Sequence, residues 1–110
     1  MAFDLGDYNT VPERIQEFRD KYPEGSLRPA DPSVPFTIIE VDGKTFLAYT
    51  AAAFRTPDDP APGIGCAWEP VPGLTNYTRN SELQNAETSA WGRAIVAVGA
   101  ADAKKGIASA

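Results

Sequence analysis

Histidine is absent from all 110 residues of this chain. Its absence removes the side chain that most often serves as a general base and as a metal ligand, and with it every Ser-His or Cys-His nucleophile arrangement. Most hydrolase mechanisms therefore do not fit this sequence. We predict a protein that is not an enzyme and that has no catalytic residue.

Cysteine is almost as scarce, because Cys66 is the only one. A single thiol forms neither an internal disulfide nor a thiolate zinc cluster, which favours a reducing cytoplasm. Cys66 is predicted to be a small core residue. Asp58 and Asp59 lack a third oxygen ligand at a suitable spacing and are expected in a solvated loop, and the glycines of residues 63–65 lack the rest of a dinucleotide fingerprint. No metal or cofactor is predicted.

Long apolar runs and positive charge are also lacking. No apolar run approaches the ~20 residues that cross a bilayer, and the first residues do not resemble a signal peptide, so we expect a cytoplasmic protein without membrane contact. Ten basic residues against fifteen acidic ones give a net charge of −5, which argues against a protein that holds duplex DNA by bulk charge. The acidic excess lies in residues 1–42.

Local signals predict a helix followed by a β-hairpin. Thr10 is placed to cap a helix over residues 12–21, with Pro12 in its first turn. Prolines keep the following segment irregular. Two β-rich runs, 36–41 and 44–50, flank an Asp-Gly pair typical of a type I′ turn, which predicts a tight hairpin.

A third strand and a second helix complete the predicted domain. The second strand is expected to continue to about residue 55, and a proline-rich loop leads to a strand over residues 64–69. Ser81 opens a capping-box pattern for a helix that extends to Val98, with Gly99 placed to end it. The prediction is one α+β domain over residues 1–102, in which an N-terminal helix precedes a three-stranded antiparallel meander and a C-terminal helix packs on the sheet, with a flexible tail over 103–110.

Aromatic residues are concentrated on this predicted sheet and on the helix that follows it. A three-stranded sheet with so few helices buries only one face, and both parities of the hairpin strands are apolar, as in a sheet covered on both sides. The second face is expected to meet a neighbouring subunit, the N-terminal helix or stacked bases of a single strand. These aromatic residues are Phe36, Phe46, Tyr49, Phe54, Trp68, Tyr77 and Trp91.

The segment 79–94 carries a resemblance to a known family. Its run Glu-Thr-Ser-Ala-x-Gly-Arg-Ala at 87–94, together with the opening residues and Tyr-Pro-Glu-Gly at 22–25, resembles bacteriophage single-stranded DNA-binding and annealing proteins of the actinobacteriophage type, within the Erf/Sak-like annealing superfamily. The resemblance implies a β-β-β-α core after a helix, assembly into rings or filaments, and binding of single-stranded DNA in an infected bacterial cell. The motif positions carried over are Arg79, Asn80, Thr88, Ser89, Gly92 and Arg93.

The expected DNA contacts combine bases and aromatic rings. Because the chain is acidic, we expect neighbouring subunits of a homo-oligomer to align the basic side chains along one track, with aromatic residues offering stacking surfaces. An alternative is a protein-interaction module that binds a host or phage replication protein through its acidic N-terminal half. The predicted DNA-binding residues are Lys44, Arg55, Arg79, Arg93, Tyr49 and Trp68.

Overall fold

The computed structural model describes residues 10–99, which form two helices and a four-stranded antiparallel sheet. The predicted α+β class is therefore confirmed, with one helix before the sheet and one after it. The elements in chain order are α1 (Val11–Lys21), β1 (Ser26–Pro29), β2 (Phe36–Val41), β3 (Lys44–Phe54), β4 (Gly63–Pro70) and α2 (Glu82–Ala97).

Helix α1 begins where its capping residues predict. The backbone N–H of Glu13 donates to Thr10 Oγ1 at 3.3 Å, and the Thr10 N–H donates to Glu13 Oε1 at 2.9 Å. This reciprocal pair is a capping box, which satisfies two of the helix's free donors. The predicted end at Lys21 is also confirmed.

Strand β3 is the centre of the sheet. Asp42 and Gly43 have φ values of 57° and 78°, as a type I′ turn requires, and they set β2 against the first half of β3. Strand β4 pairs with the other edge of β3 over residues 46–53. The predicted hairpin, the long second strand and the third strand are all confirmed.

Strand β1 corrects the prediction of three strands. Ser26–Pro29 pairs with the end of β3, where the sequence suggested only an irregular proline-containing segment. Strands β1 and β2 lie end to end along one edge of β3, because residues 30–35 leave the sheet in a short excursion. Ala30 N–H still donates to Thr50 O at 2.9 Å, which keeps the excursion attached to the sheet.

The two faces of the sheet differ in what covers them. Alternate β3 residues such as Leu47 and Tyr49 point toward the helices and belong to the hydrophobic core. We call this the covered face. The opposite face, which carries Phe46 and Ala48, has no helix packed on it among residues 10–99, and we call it the open face. The helices thus cover one side of the sheet, as the number of elements predicted.

Small residues allow α2 to lie against the covered face. A Cβ added to Gly65 would stand 2.3 Å from the backbone N of Ala94 and 2.6 Å from the carbonyl of Ala90. On the other side of α2, a Cβ at Gly92 would lie 2.9 Å from Val11 Cγ2 of α1. The approach at Gly65 is to backbone atoms, so glycine is required there and small residues of α2 face the sheet, whereas the approach at Gly92 brings α2 close to α1.

The ends of α2 agree with the prediction in one respect and differ in another. Ser81 precedes the helix but its side chain makes no capping hydrogen bond, so the predicted capping box is wrong. Gly99 ends the helix with a φ of 81°, as predicted. The predicted tail, 103–110, and the domain boundary at 102 lie outside the described residues.

Candidate nucleic-acid interface

Strand register assigns fifteen side chains to the open face, and their charges are uneven. Arg28 and Lys44 are among them, whereas no acidic residue is. The two acidic residues within the strands, Glu40 and Glu69, fall on the covered-face parity because they oppose Thr45 and Leu47. A chain with a net charge of −5 therefore has one sheet face whose only charged strand residues are basic.

Trp68 forms an aromatic platform on this face. Its side chain is 49% exposed on the edge strand β4, and its ring stacks on Phe46 with centroids 4.4 Å apart and planes 17° apart. The register places Trp68 directly opposite Ala48, whose small side chain leaves the indole uncovered. The predicted stacking residue Trp68 is thus held flat by a second ring and is open to solvent.

Arg28 adds a positive charge that the sequence reasoning missed. Its guanidinium carbon lies 4.2 Å from the centroid of the Phe54 ring, and its Nε donates to Ser26 Oγ at 2.9 Å. A guanidinium over a ring in this way is attracted by the ring's electron-rich face. Arg28 and Ser26 are two residues apart, so they share a face if the segment is a strand. The sequence alone did not predict that strand, and therefore it did not place Arg28 on the open face.

A shallow depression connects the open face with α2. Its volume is about 630 Å³, and it runs from Ile39 past Trp68 and over the outer edge of β4 to Ser89 and Arg93. Cys66 lines it and is exposed, so the prediction of Cys66 as a core residue is wrong. Side chains alternate between the two faces along β4, and residues 65 and 67 occupy the covered face, so Cys66 lies on the open face.

Tyr49 is excluded as a stacking residue. It lies on the covered face with only 3% of its surface exposed, and its hydroxyl donates to Glu87 Oε2 at 3.2 Å. Burial, reinforced by the Glu87 carboxylate, raises the pKa of Tyr49. The buried indole N–H of Trp91 meets no acceptor in hydrogen-bond geometry among residues 10–99.

Arg55 is committed to the loop that follows β3. Its Nε and Nη2 donate to the two carboxylate oxygens of Asp59 at 2.7 and 2.8 Å. Asp59 also accepts from the backbone N–H groups of Arg55 and Ala61 and is buried, so the prediction that it lies in solvent is wrong. These bonds hold the pKa of Asp59 far below its usual value. Asp58 is exposed, as predicted.

Arg79 and Asn80 shape the loop that leads into α2. Arg79 Nε donates to Gly73 O at 3.2 Å, and Gly73 N–H donates to Glu82 Oε2 at 2.8 Å. Backbone N–H groups, beginning with that of Glu82 itself, lower the pKa of the Glu82 carboxyl. Asn80 has a φ of 68°, a left-handed conformation that asparagine tolerates better than most residues. The backbone thus accounts for Asn80 without a ligand.

The remaining motif residues divide by their position on α2. Gly92 is buried against α1, which gives it a packing role. Ser89 and Arg93 lie one turn apart and line the depression, whereas Thr88 is exposed. The helix therefore presents only part of the motif to the depression.

The predicted DNA-binding residues are thus only partly brought together. Lys44 and Trp68 lie on the open face, and Arg93 lies at its margin. Arg55 and Arg79 belong to loops at other places.

Other kinds of site find little support in the part of the chain that the structure describes. Within residues 10–99, no group of three or more cysteine or acidic side chains is arranged to hold a metal ion. In the same range, no helix is long and apolar enough to span a membrane.

Comparison of this chain with protein-family models, with curated proteins and with solved structures finds no match in any of the three. The function must therefore be inferred from the geometry of the described residues.

Proposed function

We propose that this protein binds single-stranded DNA on the open face of its sheet. The observation that carries the proposal is the stacked pair of Trp68 and Phe46, half-exposed on a face whose charged strand residues are all basic. A base stacked on an aromatic side chain contributes about 1–3 kcal/mol, whatever its identity. A duplex hides the faces of its bases, so such a platform favours a single strand.

The distribution of charge removes the main physical objection to DNA binding by an acidic protein. A net charge of −5 repels DNA at long range, but contacts with phosphates depend on the charges at the contact surface. Arg28 and Lys44 supply two positive charges on the open face. Affinity is then modest for one copy and increases when several copies bind one strand.

Binding without catalysis fits a role in annealing. A protein that holds strands by stacking and by phosphate contacts keeps them extended and available to a complementary strand, and no reactive group is needed. This agrees with the resemblance of residues 79–94 to phage annealing proteins. We therefore propose a homo-oligomeric annealing protein that acts in the cytoplasm of an infected bacterial cell.

Fluorescence anisotropy of a labelled oligo(dT) tests the proposal at low and moderate salt. We expect measurable binding at low salt that weakens as salt increases, because phosphate contacts release counterions. Trp68→Ala is expected to weaken binding about tenfold or more, which corresponds to the stacking contribution of one base. Trp68→Phe, which keeps an aromatic ring, is expected to retain most of the affinity.

Two lysine variants separate local contact from overall charge. Lys44→Ala removes a positive charge from the open face, whereas Lys21→Ala removes a positive charge from an exposed position at the end of α1. Both change the net charge equally, so only a local contact makes Lys44→Ala the more damaging variant. Equal effects of the two lysine variants, or an affinity unchanged by Trp68→Ala, would refute this site.

The alternative function, a protein-interaction module, is favoured by the loop between β4 and α2. Leu74 and Tyr77 are 80% and 92% exposed on this loop. The loop is held in shape by reciprocal hydrogen bonds between Thr75 and Thr78, so the exposed residues are presented on an ordered turn.

Oligonucleotide affinity distinguishes the two functions. The interaction module predicts no affinity in the wild type, even at low salt. DNA binding instead predicts an affinity at low salt that falls in the Trp68→Ala variant while the fold, followed by circular dichroism, is kept.

A further inference from the structure

Strand β2 is an edge strand that the described residues leave unprotected. Five of its six side chains are exposed, on both faces, and they include Phe36, Ile38 and Val41, of which Ile38 is 56% exposed. Natural edge strands are usually protected by proline, lysine, a bulge or a covering helix. Within residues 10–99, strand β2 has none of these, because its six residues pair regularly with β3 and its single charge is Glu40.

The hairpin turn determines which backbone groups of β2 are free. Val41 and Lys44 flank a two-residue turn and bond to each other, so the N–H and C=O groups at positions 41, 39 and 37 point toward β3. The groups of Glu40, Ile38 and Phe36 point away from the sheet. Strand β2 thus offers three residues with unpaired backbone groups to another strand.

The opposite edge of the sheet borders the depression between β4 and α2, which we call the groove. Strand β4 pairs only with β3 among the described residues, so its outer edge also has unpaired backbone groups. The depression of about 630 Å³ passes over this edge and is bounded by Ser89 and Arg93 of α2. A strand that lies there extends the sheet and has Arg93 beside it.

The charges at the two ends of the groove favour strand β2 as its occupant and set the position of β2 along β4. Arg93 makes no ion pair within residues 10–99, and neither does Glu40, which has the covered-face parity that α2 also faces. At the other end of the groove, Glu69 has a raised pKa because it is desolvated and lies near Glu82. Glu40 is therefore attracted to the end of the groove that holds Arg93 and repelled from the end that holds Glu69.

We propose that β2 of one copy of this chain adds to the free edge of β4 of the next copy, with Glu40 paired to Arg93 across the contact. The two surfaces are different, so the contact is head to tail and repeats into a ring or a filament. The role of this assembly rests on the proposed function, because the added strand joins the open faces of successive copies into one continuous surface for single-stranded DNA.

Charge reversal tests the contact without DNA, by light scattering over a range of protein concentrations. We expect wild-type assemblies with masses at multiples of 11.8 kDa. Glu40→Lys and Arg93→Glu are each expected to weaken assembly about tenfold or more, because each creates a like-charge pair at the contact. Circular dichroism establishes that each variant is folded, as expected for two exposed side chains.

Two rescues make the test specific. The double variant Glu40→Lys, Arg93→Glu restores an opposite pair and is expected to assemble again. A mixture of the two single variants is also expected to assemble, because each β2 strand then finds a groove of opposite charge. The reversed strand of the Glu40→Lys chain enters the reversed groove of the Arg93→Glu chain, and the unaltered Glu40 meets the unaltered Arg93. Pairing of β2 with a second β2 predicts instead that Arg93→Glu has no effect, and that result would overturn the proposal.

A backbone variant tests the strand pairing independently of charge. Ile38→Pro removes an N–H that points away from β3, so we expect the hairpin to remain and the assembly to be lost. A wild-type chain that stays monomeric at all concentrations, with and without oligo(dT), refutes the assembly but not DNA binding by one copy. DNA binding is judged separately from the Trp68 variants, so the two proposals fail by different observations.

Discussion

Asp59 illustrates how a single residue can have a structural role that its sequence context hides. It lies between prolines, yet it accepts four hydrogen bonds, from three nitrogen atoms of Arg55 and from the Ala61 N–H. The carboxylate therefore closes the loop between β3 and β4 from inside. Arg55 is consequently unavailable to DNA unless this ion pair opens.

The ion pair between Arg55 and Asp59 makes stability depend on pH. The folded pKa of Asp59 lies below its ordinary value of 3.8, so its contribution to stability is complete above about pH 5 and is lost as pH falls through the folded pKa. We expect Asp59→Asn to lower the melting temperature at pH 7 and to lower it much less near pH 2. Thermal denaturation followed by circular dichroism measures both, with Asp58→Asn as the exposed neighbouring control.

A methyl group added at either of two glycines is expected to destabilise the protein by different amounts. Gly65 of β4 lies against α2, and Gly92 of α2 lies against α1. Gly65→Ala places Cβ against the backbone of α2, which is unable to move without shifting the helix, and is expected to lower the unfolding free energy by about 1–3 kcal/mol. Gly92→Ala meets a side-chain methyl group of Val11 and not helix backbone, so it is expected to cost less. Urea denaturation of the two variants compares them, and an equal or reversed order would contradict this packing.

At the scale of elements, the ends of helices and strands are set by a few backbone conformations. Asp42 and Asn80 are the described residues other than glycine with positive φ, and each lies two residues before a new element. Asp42 turns the chain from β2 into β3, and Asn80 turns it into α2. The resemblance to annealing proteins includes Asn80, so its structural role must be separated from a role in binding.

Substitutions at Asn80 separate the two roles. Asn80→Ala is expected to lower the unfolding free energy by about 1–2 kcal/mol, because alanine adopts a left-handed conformation poorly, whereas Asn80→Gly is expected to be nearly neutral. Chemical denaturation measures both values. If Asn80→Gly keeps stability and oligo(dT) affinity, the residue acts through the backbone. A loss of affinity alone would instead indicate a DNA contact by the side chain.

At the scale of the whole molecule, the main feature is that two helices cover one side of a four-stranded sheet. The covered face uses alanine and glycine to bring α2 close, while the same strands place Phe46, Ile64 and Trp68 on the other side. Apolar surface exposed in this way usually marks a binding site. The open face is therefore where partners, whether DNA or protein, are expected.

Cys66 reports directly on occupancy of the open face. Because its thiol is exposed, we expect a maleimide reagent to modify the native protein about as readily as the unfolded one. Saturating oligo(dT) is expected to slow this reaction several-fold, since Cys66 lines the same depression as Trp68. Mass spectrometry follows the modification. A rate unchanged by DNA that is shown to be bound would place the DNA elsewhere.

Local sequence determined those parts of the fold whose signals lie close together in the chain. The Thr10 cap and the Asp42-Gly43 turn each act over a few residues, so they could be predicted directly. Even part of the site followed from them, because a hairpin strand rich in aromatic residues and too few helices implies an uncovered face.

Tertiary structure alone decided which residues lie on that face. Both the odd-numbered and the even-numbered residues of β3 are apolar, so the strand pattern did not show whether Tyr49 or Phe46 lies on the uncovered face. The packing of α2 buried Tyr49 and left Phe46 on the open face. Strand β1 formed because the end of β3 offered it a partner, and that pairing brought Arg28 to the open face. The physical reason is that pairing and helix packing join residues distant in sequence, and no local preference encodes the side on which they meet.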